Sequence, residues 1–489
     1  MTNLGTRHDV SRRAFIGGTA AFAGLPLLGA QPQKQKGKAP QKGKAPEKGK
    51  GKPQPPAPEP PPNAAWETPS GDATPAVLVR RLFLDLAGRI PSVEEAKEFV
   101  NSKDASKRLK LVDKLLDADS FADYWSMRFC DILRVKSEFP INLWPNAVYV
   151  YHRRIRSFVK NDEPWDAFTR ALLTSSGSDF RDAEANFFRA TARRTPEGLA
   201  EVAALTFLGE EYAELPPAKQ KEYARYFGRV RVKNTREWKE EIVYLDPSDP
   251  SGPTPAAFAD YLLGPARDKF ASAFVQRVDW WMLGLEKPLP EHVEIFKKNG
   301  FRLKPLVRAI ALSGAYGRGS VTGGFPCRRI DAEVLDDMLC DLTGAKRDYQ
   351  SIAPEPFTFL PQDRRSILIE DGSITSAFLL LFGRPARDSG HLSERHNEVT
   401  AKQRLFLYNS GKLFQQIGRI TDNKGFRNRA MRDILHDLYW RFLSRPASPS
   451  EERMLLAHFN GLPKGNEKWR FPKDVAWSLL NTREFLYQH

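Results

Sequence analysis

Apolar side chains recur at helical spacing from residue 75 onward. Val77, Val79, Leu82, Phe83 and Leu86 make one face, and after Pro91 the pair Ser92 and Glu95 forms a capping box in which each satisfies the other's free amide. Leu109, Val112, Leu115 and Leu116 mark a third helix, and Phe121, Trp125, Phe129 and Ile132 a fourth. The same periodicity predicts helices over 144–160, 164–173, 196–208 and 217–226, then over 256–263, 270–283, 290–298, 303–313, 331–342, 403–417, 429–443, 450–459 and 473–480. Between the two groups, the run from Glu240 to Leu245 leads into a Pro/Gly-rich stretch ending at Pro255, the best place for β structure. The pattern predicts a mainly α fold: a multi-helix body in two closely packed halves, 75–255 and 256–489, with one short β hairpin or strand pair near 240–256.

A weak internal repeat links the two ends of the body. Leu82 to Glu95 lines up with Leu438 to Glu451, each passing from an apolar helix through an Arg-containing corner, Arg89 or Arg445, into a capped helix. An αα-hairpin whose corner is fixed by Pro and a Ser cap is first of all a packing device.

Two segments ahead of the body lack this periodicity. Arg12 and Arg13, followed by Phe15 and the uncharged run from Ala14 to Leu28, have the layout of a twin-arginine export signal over 1–30, too short to span a bilayer. That route carries folded cargo, which places the protein in the periplasm or cell envelope, or outside the cell. Residues 31–63, almost wholly Pro, Lys, Gly, Gln and Ala, cannot build a core and are expected to be a disordered linker. Of the formal charge of +15, residues 1–30 carry +2 and 31–63 carry +6, leaving +7 on the body, which has 64 basic and 57 acidic residues. An excess that small, with no long basic stripe, argues against a nucleic-acid partner, and no transmembrane span is expected in the mature chain.

The three cysteines, Cys130, Cys327 and Cys340, rule out a dense disulfide framework and read as buried free thiols in apolar surroundings. The chain has no Cys-x-x-Cys-His, so covalent c-type haem is excluded and no cofactor is expected. Nucleophile-elbow, P-loop, dinucleotide and EF-hand signatures are also missing from the sequence. His391, Glu394 and His396, with Glu398, form the densest ligand-type cluster, but their spacing is not that of a zincin, and no metal site is expected there. Arg81 and Asp85 stand one helical turn apart and could pair; Asp85 and Glu394 are the candidate acid or base of any cleft chemistry, with Arg81 beside them. Arg328 and Arg329 form a fork that could clamp a carboxylate or phosphate, or pin helices through Asp331 or Glu333. Trp280 and Trp281, with Phe274 and Val278, have core spacing more than the look of a sugar platform.

The stretch Val79 to Ser92 resembles the opening of a cytochrome-associated domain of unknown function found in large secreted planctomycete proteins, and Asn186 to Thr191 resembles a further motif of it. The second half resembles the partner domain that usually follows, through Phe274 to Trp281, Leu306 to Ser313, Arg328 to Glu333, Phe382 to Arg387 and Trp477 to Phe485. Relatives continue after the equivalent of Gly209 into a Cys-x-x-Cys-His that suggests haem or metal, where this chain reads Glu210 to Pro216; their Cys-x-Cys-Glu-Arg is replaced by His391 to Arg395. The haem chemistry that the resemblance implies thus lacks its ligands here. The expectation is an exported cell-envelope scaffold or binding protein without catalysis. The alternatives are an envelope-polymer hydrolase, acting on glycan or peptide in a cleft between the halves, and an accessory of a separate haem protein, which makes an envelope polymer or that haem protein the expected partner.

Overall fold

The computed structural model describes residues 70–321, 324–353, 358, 360–396 and 398–489; the signal and linker expected over 1–63 lie outside the described residues. Helix α1 (Pro75–Ala87) opens where Thr74 accepts the amide of Val77 and closes at Gly88, φ 59°. A side chain at Gly88 would set its Cβ 2.5 Å from the Tyr124 ring, so both the left-handed backbone and the close approach require glycine. Helix α2 (Val93–Asn101) begins with the expected Ser92/Glu95 capping box. Helices α3 (Lys107–Asp117) and α4 (Asp119–Ile132) pack against α1, and α5 (Pro145–Lys160) lies along α4. Helix α6 (Trp165–Thr174) then leads to a two-residue strand β1 (Gly177–Ser178), and α7 (Pro196–Ala203) passes into a π turn, Ala204–Leu208, that stops at Gly209.

After α8 (Pro217–Phe227) come β2 (Val230–Asn234) and β3 (Glu241–Leu245), which form an antiparallel hairpin with Val230 opposite Leu245; β1 adds to the other side of β3. The expected hairpin is present but lies upstream of its predicted place. The residues after Leu245 include Pro247, Pro250 and Pro253, which have no amide to donate to a ladder, so β3 is the second strand and not the first.

Helices α9 (Pro255–Leu263), α10 (Arg267–Leu283), α11 (Pro290–Lys298) and α12 (Leu303–Leu312) follow close to their predicted ranges, then β4 (Arg328–Arg329) and α13 (Ala332–Thr343). The helix predicted over 403–417 is two helices, α14 (Ala401–Asn409) and α15 (Gly411–Thr421). The break falls at Ser410, whose extended backbone lets its hydroxyl accept the amide of Leu413 and cap the second helix. Helices α16 (Met431–Leu443), α17 (Pro449–Gly461) and α18 (Asn466–Leu480) complete the bundle, and β5 (Tyr487–Gln488) pairs antiparallel with β4. The fold is mainly α, and among the described residues no helix is long and apolar enough to cross a membrane.

One hydrophobic core runs from Val79 to Phe485, with Trp165 at its centre touching the rings of Phe129, Phe158, Phe168, Phe207, Phe270 and Phe274. The repeat has matching geometry at its two copies. In the first, Gly88 takes the left-handed conformation and Arg89 grips Glu95 with both terminal nitrogens, at 2.7 and 2.8 Å. In the second, Ser444 has φ 59°, Arg445 grips Glu451 at 2.8 and 2.9 Å, and Ser448 with Glu451 makes the capping box. One difference matters: Arg445 is buried and also holds Glu484 at 2.6 and 2.8 Å.

Candidate functional site

A cavity of about 560 Å³ that combines aromatic and charged walls opens where α1 and α4 meet residues 487–488. Its walls come from α4 (Tyr124, Arg128, Asp131), the end of α10 (Trp280, Trp281), β4 with its flanks (Cys327 to Asp331), the loop from His391 to Glu398, and β5. The β4–β5 ladder sets Arg328 opposite Gln488 and Arg329 opposite Tyr487. Two-residue strands are held mostly by their flanks, here the helices on either side.

Behind the opening lies a network of carboxylates and guanidinium groups. Arg395 donates to Asp131 at 2.6 Å and to Glu333 at 2.7 Å, and Arg387 donates to the other oxygen of Asp131 at 2.8 Å. Arg128 donates to Asp331 at 2.8 Å, and the Tyr124 hydroxyl donates to the same oxygen at 3.2 Å. Arg384 approaches Glu333 at 3.4 Å. Burial works to discharge Arg395, but Glu333 and Asp131 outweigh it and hold the guanidinium well above its ordinary pKa. Burial likewise raises the Tyr124 phenol.

Asp85 sits just behind the cavity wall. It accepts from the Tyr316 hydroxyl at 2.7 Å and the Gln488 amide at 2.6 Å, with Arg328 at 3.3 Å. Burial pushes its carboxyl up, against the opposing pull of Arg328, Tyr316 and Gln488. Arg81 does not reach across to Asp85 in a hydrogen bond: it donates to the carbonyls of His489, Tyr316 and Arg318 and stacks 3.4 Å from the centre of the Phe325 ring. Burial lowers Arg81 to about 10.

The cluster at 391–398 spreads apart. His391 faces Glu211 at 3.1 Å, Glu394 turns back to accept the amides of Asp388 and Ser389, and His396 is exposed at the rim. Among the described residues no group of three or more His, Cys, Asp or Glu side chains is placed to hold a metal ion. Gly383 positions this loop: its backbone has φ 87°, and a Cβ there would fall 1.9 Å from the carbonyl oxygen of His396.

Several expectations need correction. Cys130 and Cys340 are buried free thiols, but Cys327 is exposed, because the Pro326–Cys327 segment lines the mouth of the cavity. Arg328 and Arg329 pin neither Asp331 nor Glu333, which Arg128, Arg395 and Arg384 hold instead. Trp281 is buried, yet Trp280 is 41% exposed on the cavity wall. Arg128 and Asp131 escaped notice in the sequence, and Arg395 was not singled out from the 391–398 stretch, because the network joins residues more than 250 positions apart.

Residues 63–230 match the family model PSCyt2, Protein of unknown function (DUF1549), and residues 289–459 match PSD1, Protein of unknown function (DUF1553). No curated protein and no solved structure matches the chain. The cavity draws on both matched regions, on Trp280 and Trp281 between them, and on Tyr487 and Gln488 beyond the second. With the two models in this order along one chain, the protein belongs to those that carry PSCyt2 and PSD1 in tandem.

Proposed function

We propose that this is an exported cell-envelope protein that binds a segment of envelope polymer in the junction cavity and performs no chemistry on it. The observation that carries this reading is the state of the two buried or half-buried acids on the cavity, Asp131 and Asp331; the third, Glu398, is exposed. Asp131 is fixed through both oxygens by Arg387 and Arg395, and Asp331 is fixed by Arg128 and Tyr124. A general base must offer a lone pair to substrate, and these would have to break an ion pair first. Aromatic rings on the same wall suit the faces of sugar rings.

A second reading, polymer hydrolysis, draws support from Asp85, a carboxyl whose pKa is raised beside a cavity. Against it, Asp85 is only 3% exposed and screened by Tyr316 and Gln488. Cys327 provides the test, as the exposed thiol among two buried ones. Full-length protein carrying an environment-sensitive maleimide dye on Cys327, titrated with soluble fragments of envelope polysaccharide, should show a saturable emission change with no new reducing ends. Release of reducing ends would favour hydrolysis; a flat titration would remove the binding reading.

A further inference from the structure

Among the described residues Arg329 is a cation on the cavity wall that makes no ion pair. The residue is 7% exposed, its Nη1 donates to the Gln403 amide oxygen, and its guanidinium lies 4.8 Å from the centre of the Phe382 ring. Among the described residues it makes no ion pair, whereas Arg128, Arg384, Arg387 and Arg395 around it each hold a carboxylate. Its Nε has no acceptor, and the same is true of the Nε of Arg128 and of Arg328, both on the same cavity. Buried donors are seldom left unsatisfied, and a buried charge is usually paired. An Nε without an acceptor is not special to this cavity, since Arg80 and Arg347 share it; what sets Arg329 apart is that other buried arginines without an ion pair, such as Arg80 and Arg277, donate to two backbone carbonyls, whereas Arg329 has only the one amide.

We infer that the cavity takes an acidic sugar unit, its carboxylate completing the guanidinium of Arg329 and its ring lying against Trp280. The inference rests on the polymer-binding reading and supplies its ligand class. The cavity of about 560 Å³ is ample for one or two sugar rings. Selectivity follows from the unmatched charge, because a neutral sugar would leave Arg329 with no counter-ion.

Titration calorimetry of the full chain with sodium D-glucuronate, with D-glucose and with sodium sulfate tests this. Glucuronate should bind at least about tenfold more tightly than either of the others. In Arg329→Gln the advantage over glucose should disappear while thermal unfolding stays cooperative; Arg329→Lys should keep part of it. Should Arg329→Gln fail to fold, the wild-type comparison and its weakening with added salt decide alone. Equal affinity for glucose and glucuronate would overturn the inference while leaving polymer binding intact. Sulfate as tight as glucuronate would mean an anion site without sugar recognition and would also overturn it. No heat with any of the three would overturn it too, and a Cys327 titration that stayed flat alongside would remove the underlying reading as well.

Discussion

His152 can take up a proton only at the expense of the fold. It is buried on α5, and burial, with Arg387, Arg364 and Arg156 nearby, lowers it from 6.5 to about 3. In the unfolded chain the same imidazole titrates near its ordinary value, so between those two pH values the unfolded state binds more protons than the folded one. The stabilisation from a neutral His152 is therefore complete above about pH 6.5 and drains away as the pH falls, by about 1.4 kcal/mol per unit. His489, lowered to about 4 for the same leading reason, adds a slope of the same sign. His152→Leu should make the thermal midpoint decline less steeply between pH 6.5 and 4.5. Identical slopes in the two proteins would show that His152 does not titrate as described.

The two hairpin copies offer a comparison between elements. Arg89 and Glu95 are partly open to solvent, while Arg445 is buried and shared between Glu451 and Glu484. Removing Glu95 forfeits half a capping box and a screened ion pair, about 1 kcal/mol. Removing Glu451 leaves a buried guanidinium short of one anion, roughly 2 kcal/mol. Denaturant unfolding of Glu95→Ala and Glu451→Ala should rank them in that order, and equal losses would mean that burial of Arg445 is immaterial.

These hairpins also mark what the sequence made legible. Helices with an apolar stripe and a local cap, such as the one from Val93, could be placed because every determinant lies within a few residues. The first hairpin strand, Val230–Asn234, was hidden because Arg231 and Lys233 on its open face give it the look of a charged loop. The helix break at Ser410 had a local signal in Asn409-Ser410-Gly411, but apolar residues at helical spacing on both sides, Phe406 and Leu413, outweighed it. Strands β4 and β5 have no local signature at all: each is two residues long and finds its partner about 160 positions away. Arg328 and Arg329 were recognisable as a fork, but not what they face, which depends on those distant pairings.

At the scale of the whole molecule, the export proposal concerns Arg12 and Arg13, which lie outside the described residues. Replacing Arg12 and Arg13 by Lys in the full chain should leave folded protein in the cytoplasmic fraction. Undiminished recovery from the envelope fraction would assign the export to another route or another signal.

The pairing of β4 with β5 orders events in time. Gln488 closes over Asp85, Tyr487 backs Arg329, and the carbonyl of His489 receives Arg81, so residues some 400 positions apart must meet before the cavity has its wall. The aromatic centre around Trp165 does not depend on this pairing, yet the cavity wall is incomplete until Tyr487 and Gln488 dock on β4. A chain cut short ahead of Tyr487 should therefore keep most of its helices while losing the wall on which the proposed site depends.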